Sequence, residues 1–170
     1  MDAWLETKQL PVHLISAAGL VKRDNKVILI RSERRGWELP GGIVEQGETL
    51  TEGLIREISE ESGITAEPTA LAGVYQNLSQ KKGYGPLEGT FLPPVLIFDF
   101  VCRYVSGEPA ITEETLEAGW FTPEEAVELV TEPSFTERLS RLLEFDGTTG
   151  LSVFRKPAEG EFGDFRRLLP

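Results

Sequence analysis

The sequence predicts an α/β fold in which a mixed β-sheet lies between helical layers. Two observations carry that reading. Apolar runs of strand length recur at His13–Lys22, Lys26–Arg31, Ala70–Leu78 and Val95–Tyr104. Between and after them come stretches with helical signals: one bounded by Thr49 and Gly63, one opening at Thr122-Pro123, and one running from about Ser134 to Leu143.

The first two runs are joined by Asp24-Asn25, a turn pair, and both are largely apolar, as strands near the middle of a covered sheet should be. Ala70–Leu78 contains the strand formers Val74 and Tyr75, and Val95–Tyr104, the most apolar run, reads as central. Trp120-Phe121 reads as a short strand, and Leu151–Phe154 as another near the end. Thr49 with Glu52 forms a capping box, and Gly63 with Ile64 a left-handed stop with its apolar partner. Thr122, Pro123, Glu124 and Glu125 read as N-cap, first-turn proline and acidic first turn. Ser79–Pro94, rich in Gly and Pro, holds Lys81, Lys82, Tyr84 and Phe91 and reads equally as a lid or as a disordered loop. The organisation expected is an N-terminal arm over 1–11, a domain over 12–145, and a tail over 146–170 packed on that domain. The arm's apolar members, Trp4, Leu5 and Leu10, suit packing on the domain or across a homodimer.

A chain of 170 residues with 40% hydrophobic and 26% charged content is long enough for one sizeable core. Its net charge of −11 argues against a nucleic-acid polymer as partner, which calls for a basic footprint. Anionic small molecules are not excluded, because a bound metal inverts the local field. Cys102 is the single cysteine, which rules out an internal disulfide and a Cys-based zinc site. With no visible signal peptide, a cytoplasmic protein is expected. Val12–Val21 and Val95–Cys102 are too short to span a membrane.

At about 100° per residue, Glu57, Glu60 and Glu61 fall on one helix face. Leu54, Ile55 and Ile58 follow on the adjoining face, and Glu52, Arg56 and Ser59 on the remaining side, toward water. Each like-charge pair costs about 0.2–0.5 kcal/mol, and the periodicity points Arg56 away from Glu57. A hard divalent cation with oxygen ligands would turn that repulsion into attraction, Mg²⁺ held jointly with phosphates fitting best. Taken alone, the same pattern also suits a solvated acidic face.

The flanking residues decide between them. Gly42, Glu48, Arg56, Glu57, Ile58, Glu60, Glu61, Gly63 and Ile64 meet every defined position of G-x5-E-x7-R-E-U-x-E-E-x-G-U, where U is a bulky aliphatic. This stretch resembles the Nudix box, and Trp37-Glu38-Leu39-Pro40-Gly41 resembles its usual lead-in. The resemblance implies an α/β/α sandwich with a mixed sheet. It further implies hydrolysis of the pyrophosphate linkage in a nucleoside diphosphate derivative: ADP-ribose, a nucleotide sugar, or a nucleoside triphosphate such as an oxidised dNTP. Mg²⁺ is the implied cofactor, with Mn²⁺ as a substitute.

On that resemblance Glu57, Glu60 and Glu61 hold metal together with the main-chain oxygen of Gly41, while Glu48 and Arg56 brace loop and helix. Relatives differ over the general base: some use a box glutamate such as Glu57 or Glu60, others one from a distant loop. Glu114 is the expected one here, with Glu113 and Glu117 as neighbours in the same stretch. Arg31, Arg34 and Arg35 lead directly into the Gly-rich turn and are candidate phosphate contacts, Trp37 and Tyr84 candidate base contacts. The signatures of NADH- and coenzyme-A-directed relatives are not apparent. The competing reading is a nucleotide-sensing or protein-binding module that has lost catalysis; such modules usually have broken metal positions, and here none is broken. Many relatives form homodimers, which the apolar arm and the Phe-bearing tail also suit.

Overall fold

Strand β1 (Leu14–Arg23) turns through Asp24, at φ +53°, into the antiparallel β2 (Lys26–Ser32). Aspartate tolerates that left-handed region better than most residues with side chains. Both strands are covered on both faces. Ala17, Val21 and Ile28 look one way, and Leu20, Val27 and Leu29 the other. A computed structural model describes residues 10–79, 81–83, 87–155 and 165–169. Most of the expected arm, with Trp4 and Leu5, and the candidate base contact Tyr84 lie outside the described residues.

The chain continues through β3 (Gly36–Glu38), β4 (Gly41–Ile43), helix α1 (Leu50–Ser62) and β5 (Ile64–Asn77). A small pair, β6 (Lys81–Lys82) with β7 (Phe91–Leu92), interrupts the segment expected as one long loop. Then follow β8 (Val95–Gly107), β9 (Glu117–Phe121), α2 (Pro123–Leu129), α3 (Pro133–Leu143), β10 (Gly150–Phe154) and β11 (Phe165–Leu169). The main sheet has nine strands, ordered β11-β10-β5-β8-β1-β2-β3, with β4 also on β1 and β9 also on β2. It is mixed: β8 runs parallel to β1 and β10 parallel to β5, while the other pairs are antiparallel. Helix α1 covers one face through the fully buried Leu54 and Ile58. Helices α2 and α3 cover the other through Ala126, Leu139 and Leu142. Burying each of the two α1 side chains is worth about 1.5–3 kcal/mol. The sandwich is therefore the expected α/β/α arrangement, with β8 central. Among the described residues no helix is long and apolar enough to cross a membrane.

Two strand boundaries differ from expectation. Strand β5 begins at Ile64 rather than Ala70, because its ladder with β8 shifts register at Thr65/Ala66, at Pro68/Ala70 and again at Leu71/Gly73. Such bulges destroy the two-residue period, and Pro68 cannot donate to a ladder at all. Strand β9 begins at Glu117, drawn into pairing with Arg31 on β2. In the tail, the strand expected at Leu151–Phe154 is β10, which with β11 forms one edge of the main sheet, β10 in register with β5 from Gly150↔Gly73 to Phe154↔Asn77.

Strand β8 also places a carboxylate inside the core. Asp99 is fully buried and accepts from Arg138 of α3, whose Nε donates to Oδ2 at 2.8 Å and whose Nη2 bonds Oδ1. The guanidinium lies 5.6 Å from the ring centroids of both Tyr75 and Phe135. The pair ties α3 to the middle of the sheet. Asp99→Ala should cost about 3–5 kcal/mol by stranding a buried cation, and the double replacement Asp99→Leu with Arg138→Met should recover most of that. Urea unfolding of the three proteins checks it; a loss under about 1 kcal/mol for Asp99→Ala would show that Arg138 finds water instead.

Candidate functional site

The site is assembled around α1. Thr49 caps the helix from an extended conformation: its hydroxyl accepts the Glu52 N–H at 3.2 Å, and the Glu52 carboxylate accepts the Thr49 N–H at 2.8 Å. Gly63 ends the helix at φ +74°, its N–H returning to the Ser59 carbonyl at 2.9 Å. A Cβ at Gly63 would lie 2.9 Å from the Glu108 carbonyl oxygen and 3.1 Å from the Ala110 side chain. This glycine therefore both stops the helix and admits the segment that leads from β8 to β9. Three hydrogen bonds fasten that segment: Ala110 N–H to the Ser62 carbonyl at 3.0 Å, Thr115 Oγ1 to the Glu61 carbonyl at 2.9 Å, and Leu116 N–H to the Arg31 carbonyl at 2.8 Å.

So fastened, the segment brings Glu114 to the helix. Carboxylate oxygens of Glu57, Glu61 and Glu114 lie within 4.8 Å of one another. Glu57 lies over Gly42 of β4, where a Cβ would sit 2.4–2.5 Å from its carboxylate atoms. No other residue type leaves room for it. Glu61 is buried and accepts the Gly41 N–H at 2.7 Å. Gly41 thus reaches the trio through its N–H.

Glu60 is the exception on the acidic face. It is half exposed, stands outside the trio, and accepts from Arg56 Nη1 at 3.0 Å. Arg56 does not turn to water as its helical angle predicts. Its long stem carries the guanidinium back across the helix, so that Nη1 also reaches Glu57 at 3.0 Å. Nε and Nη2 hold Glu48 at 2.7 and 3.0 Å, and Nη2 donates to the Ile43 carbonyl at 3.1 Å. The repulsion among the box glutamates is thereby partly offset within the protein itself. Glu48 and Arg56 are joined directly, and the pair is partly exposed rather than buried.

The basic and aromatic candidates have partners of their own. Arg31 donates through Nε to Glu117 at 2.7 Å, across the β2–β9 ladder. Arg35 donates through Nε to the buried Glu38 at 2.9 Å and lies 5.6 Å from the Phe135 ring centroid. Arg34 is exposed in the turn before β3. Trp37 packs edge-on against Phe121, centroids 4.9 Å apart, on the face covered by α2 and α3. Of these four, Arg35 acts electrostatically on Glu61 of the carboxylate trio. A residue that sequence reading missed is Thr115; a threonine beside a candidate glutamate carries no signal until the loop is folded.

Electrostatics divide the carboxylates sharply. The Arg56 guanidinium, with the Glu45 N–H, holds Glu48 down at about 2. Burial raises Glu57, against the pull of Arg56. Burial likewise pushes Glu61 up to about 8; the Gly41 N–H lowers it, while the Glu38 and Glu57 charges raise it further. A cluster that is all carboxylate oxygen, with one member desolvated and bonded only by one N–H, fits a hard divalent cation. Mg²⁺ or Mn²⁺ would take such a set, and a soft metal would not.

The Glu61 shift predicts a pH dependence. A carboxyl raised in the folded state contributes stability that is full below its ordinary value of 4.5 and is lost as pH rises through about 8. In EDTA, the wild type should lose thermal stability relative to Glu61→Gln between about pH 5 and pH 9, and saturating Mg²⁺ should abolish the difference in slope. Melting profiles that stay parallel in EDTA would show that Glu61 ionises as freely folded as unfolded.

Comparison with known proteins follows the same lines. The family model for the NUDIX domain matches residues 13–143. The chain is 34% identical over 129 residues to a MutT-like protein of Streptomyces ambofaciens, covering 75% of each chain. It is 30% identical over 112 residues to an ADP-ribose pyrophosphatase of Methanocaldococcus jannaschii, covering 63% of this chain and 60% of that protein. In fold it is similar to the solved mutator MutT protein of Bacillus halodurans, with a TM-score of 0.75 at 24% identity over 91% of this chain and 97% of the other. With most of its length matched and the glutamates of its signature stretch set on the helix that organises the sheet, this chain belongs to the NUDIX domain family.

Proposed function

We propose that the chain is a Mg²⁺-dependent pyrophosphohydrolase acting on a nucleoside diphosphate derivative. The observation that carries this reading is the convergence of Glu57, Glu61 and Glu114 within 4.8 Å, two from the box helix and one from a loop more than fifty residues away. The similarity to an ADP-ribose pyrophosphatase makes ADP-ribose the first substrate to test, with nucleotide sugars and ordinary or oxidised nucleoside triphosphates beside it. A divalent cation bound there would neutralise the diphosphate and acidify the attacking water. Glu57 and Glu61 hold that cation in this reading, with Glu60 at the rim and the main-chain oxygen of Gly41 completing the oxygen set. Glu114, the exposed member, accepts the proton of the attacking water. Arg56 and Glu48 fix the loop–helix angle, which keeps the carboxylates aimed.

The reading also extends to setting and assembly. A reducing, cytoplasmic setting agrees with a lone Cys102 that is buried and pushed up to about 12 by burial. A homodimer agrees with the exposure of Leu10 and Val12 where the chain enters β1.

Turnover of the substrate panel with Mg²⁺ tests the enzyme. Glu57→Gln should remove nearly all activity, and Glu114→Gln should lower kcat by about 10²–10⁴-fold with little change in KM. No turnover of any panel member would sink the proposal, and a Glu114→Gln enzyme with full kcat would move the base elsewhere. A single monomeric species in sedimentation at micromolar concentration would remove the homodimer.

A further inference from the structure

We infer that Thr115 is a positioning residue that holds Glu114 in register with Glu57 and Glu61; the inference rests on the reading of Glu114 as the general base. Thr115 is the one buried residue between Val105 and Glu117, with 3% of its surface exposed. A threonine hydroxyl has a single proton, and a carbonyl can only accept. The 2.9 Å contact between Thr115 Oγ1 and the Glu61 carbonyl therefore uses the Thr115 proton. The 3.1 Å contact between Thr112 Oγ1 and Thr115 Oγ1 must then run from Thr112 to Thr115. Thr112 Oγ1 in turn accepts the Glu114 N–H at 3.2 Å. Three hydrogen bonds thus run head to tail from the backbone of Glu114 to the backbone of Glu61.

The relay links two members of the trio through their main chains and leaves both carboxylates free for chemistry. It is needed because nothing else aims Glu114. Its carboxylate accepts no hydrogen bond among the described residues and is exposed, so only its backbone sets where it points. The Ala110 and Leu116 bonds fix the two ends of the loop, but each is at least two residues from Glu114. With the relay cut, the exposed loop end is free to shift, and a displacement of about 1 Å at a reacting group costs up to about 10²-fold in rate.

The test uses the full chain with its best substrate and Mg²⁺. Thr115→Val keeps the branched shape and removes the donor; it should lower kcat by about 10–100-fold with KM within about twofold, and Thr115→Ser should restore kcat to within about threefold. Thr112→Val, at a half-buried position where folding is not at stake, should lower kcat in the same sense. In a Glu114→Gln background Thr115→Val should cause no further loss, which a general destabilisation of the fold would not reproduce. Full kcat in Thr115→Val, failure of Thr115→Ser to rescue, or an additive loss on Glu114→Gln would each overturn the inference while leaving the enzyme reading intact. A wild type without turnover would overturn both.

Discussion

Arg56 is the contact on which the site depends. A guanidinium has five N–H donors in a fixed plane, and all five are used here: three on the loop that leads into α1, through Glu48 and the Ile43 carbonyl, and two on helix glutamates. Lysine could supply the charge but not this geometry. The loop after β4 and the helix are thereby locked at one angle, and the helix can carry a crowd of carboxylates without any cation present. Because Glu48 is held well ionised beside a permanent cation, its hold on Arg56 should persist across the working pH range.

Two carboxylates a short helix apart show how the surroundings assign roles. Glu48 meets a guanidinium and is held near 2, whereas Glu61 meets a dry wall and one amide and is driven up to about 8. Their chemistry is identical; only desolvation and partners differ. The first is fit to be structure, and the second holds a proton that a cation would displace. Glu60 lies between these cases, exposed and shared with Arg56.

Steric voids matter as much as charges. Gly42 has no side chain where the Glu57 carboxylate must lie, and Gly63 has none where the loop to β9 must pass. Each box glycine is thus paired with a carboxylate, Glu57 directly and Glu114 through its loop. The opposite face of the sheet is held by a different device, the Asp99–Arg138 pair beneath α3, so the helix that carries the site and the helices that cover the far side are anchored independently.

The sequence by itself determined the layers, the capped helix, and the family signature, because these are local. Capping boxes, left-handed stops and alternating burial are set within a few residues, and the box positions are fixed by spacing. It also singled out Glu114, by its place in a stretch that resembles one supplying bases in relatives. Only the tertiary structure decided what Arg56 holds, since helical angle locates a Cα and not the end of a long side chain. Only the fold paired Arg31 with Glu117 and Arg35 with Glu38, partners their sequence neighbourhood did not name. Only the fold showed that Asp99 of the central strand is buried and that Arg138 is its partner. The early start of β5, the place of β10 beside β5 and the Thr115 relay were hidden for one reason: each is fixed by pairing across long stretches of chain, and such pairing leaves no period in the sequence to read.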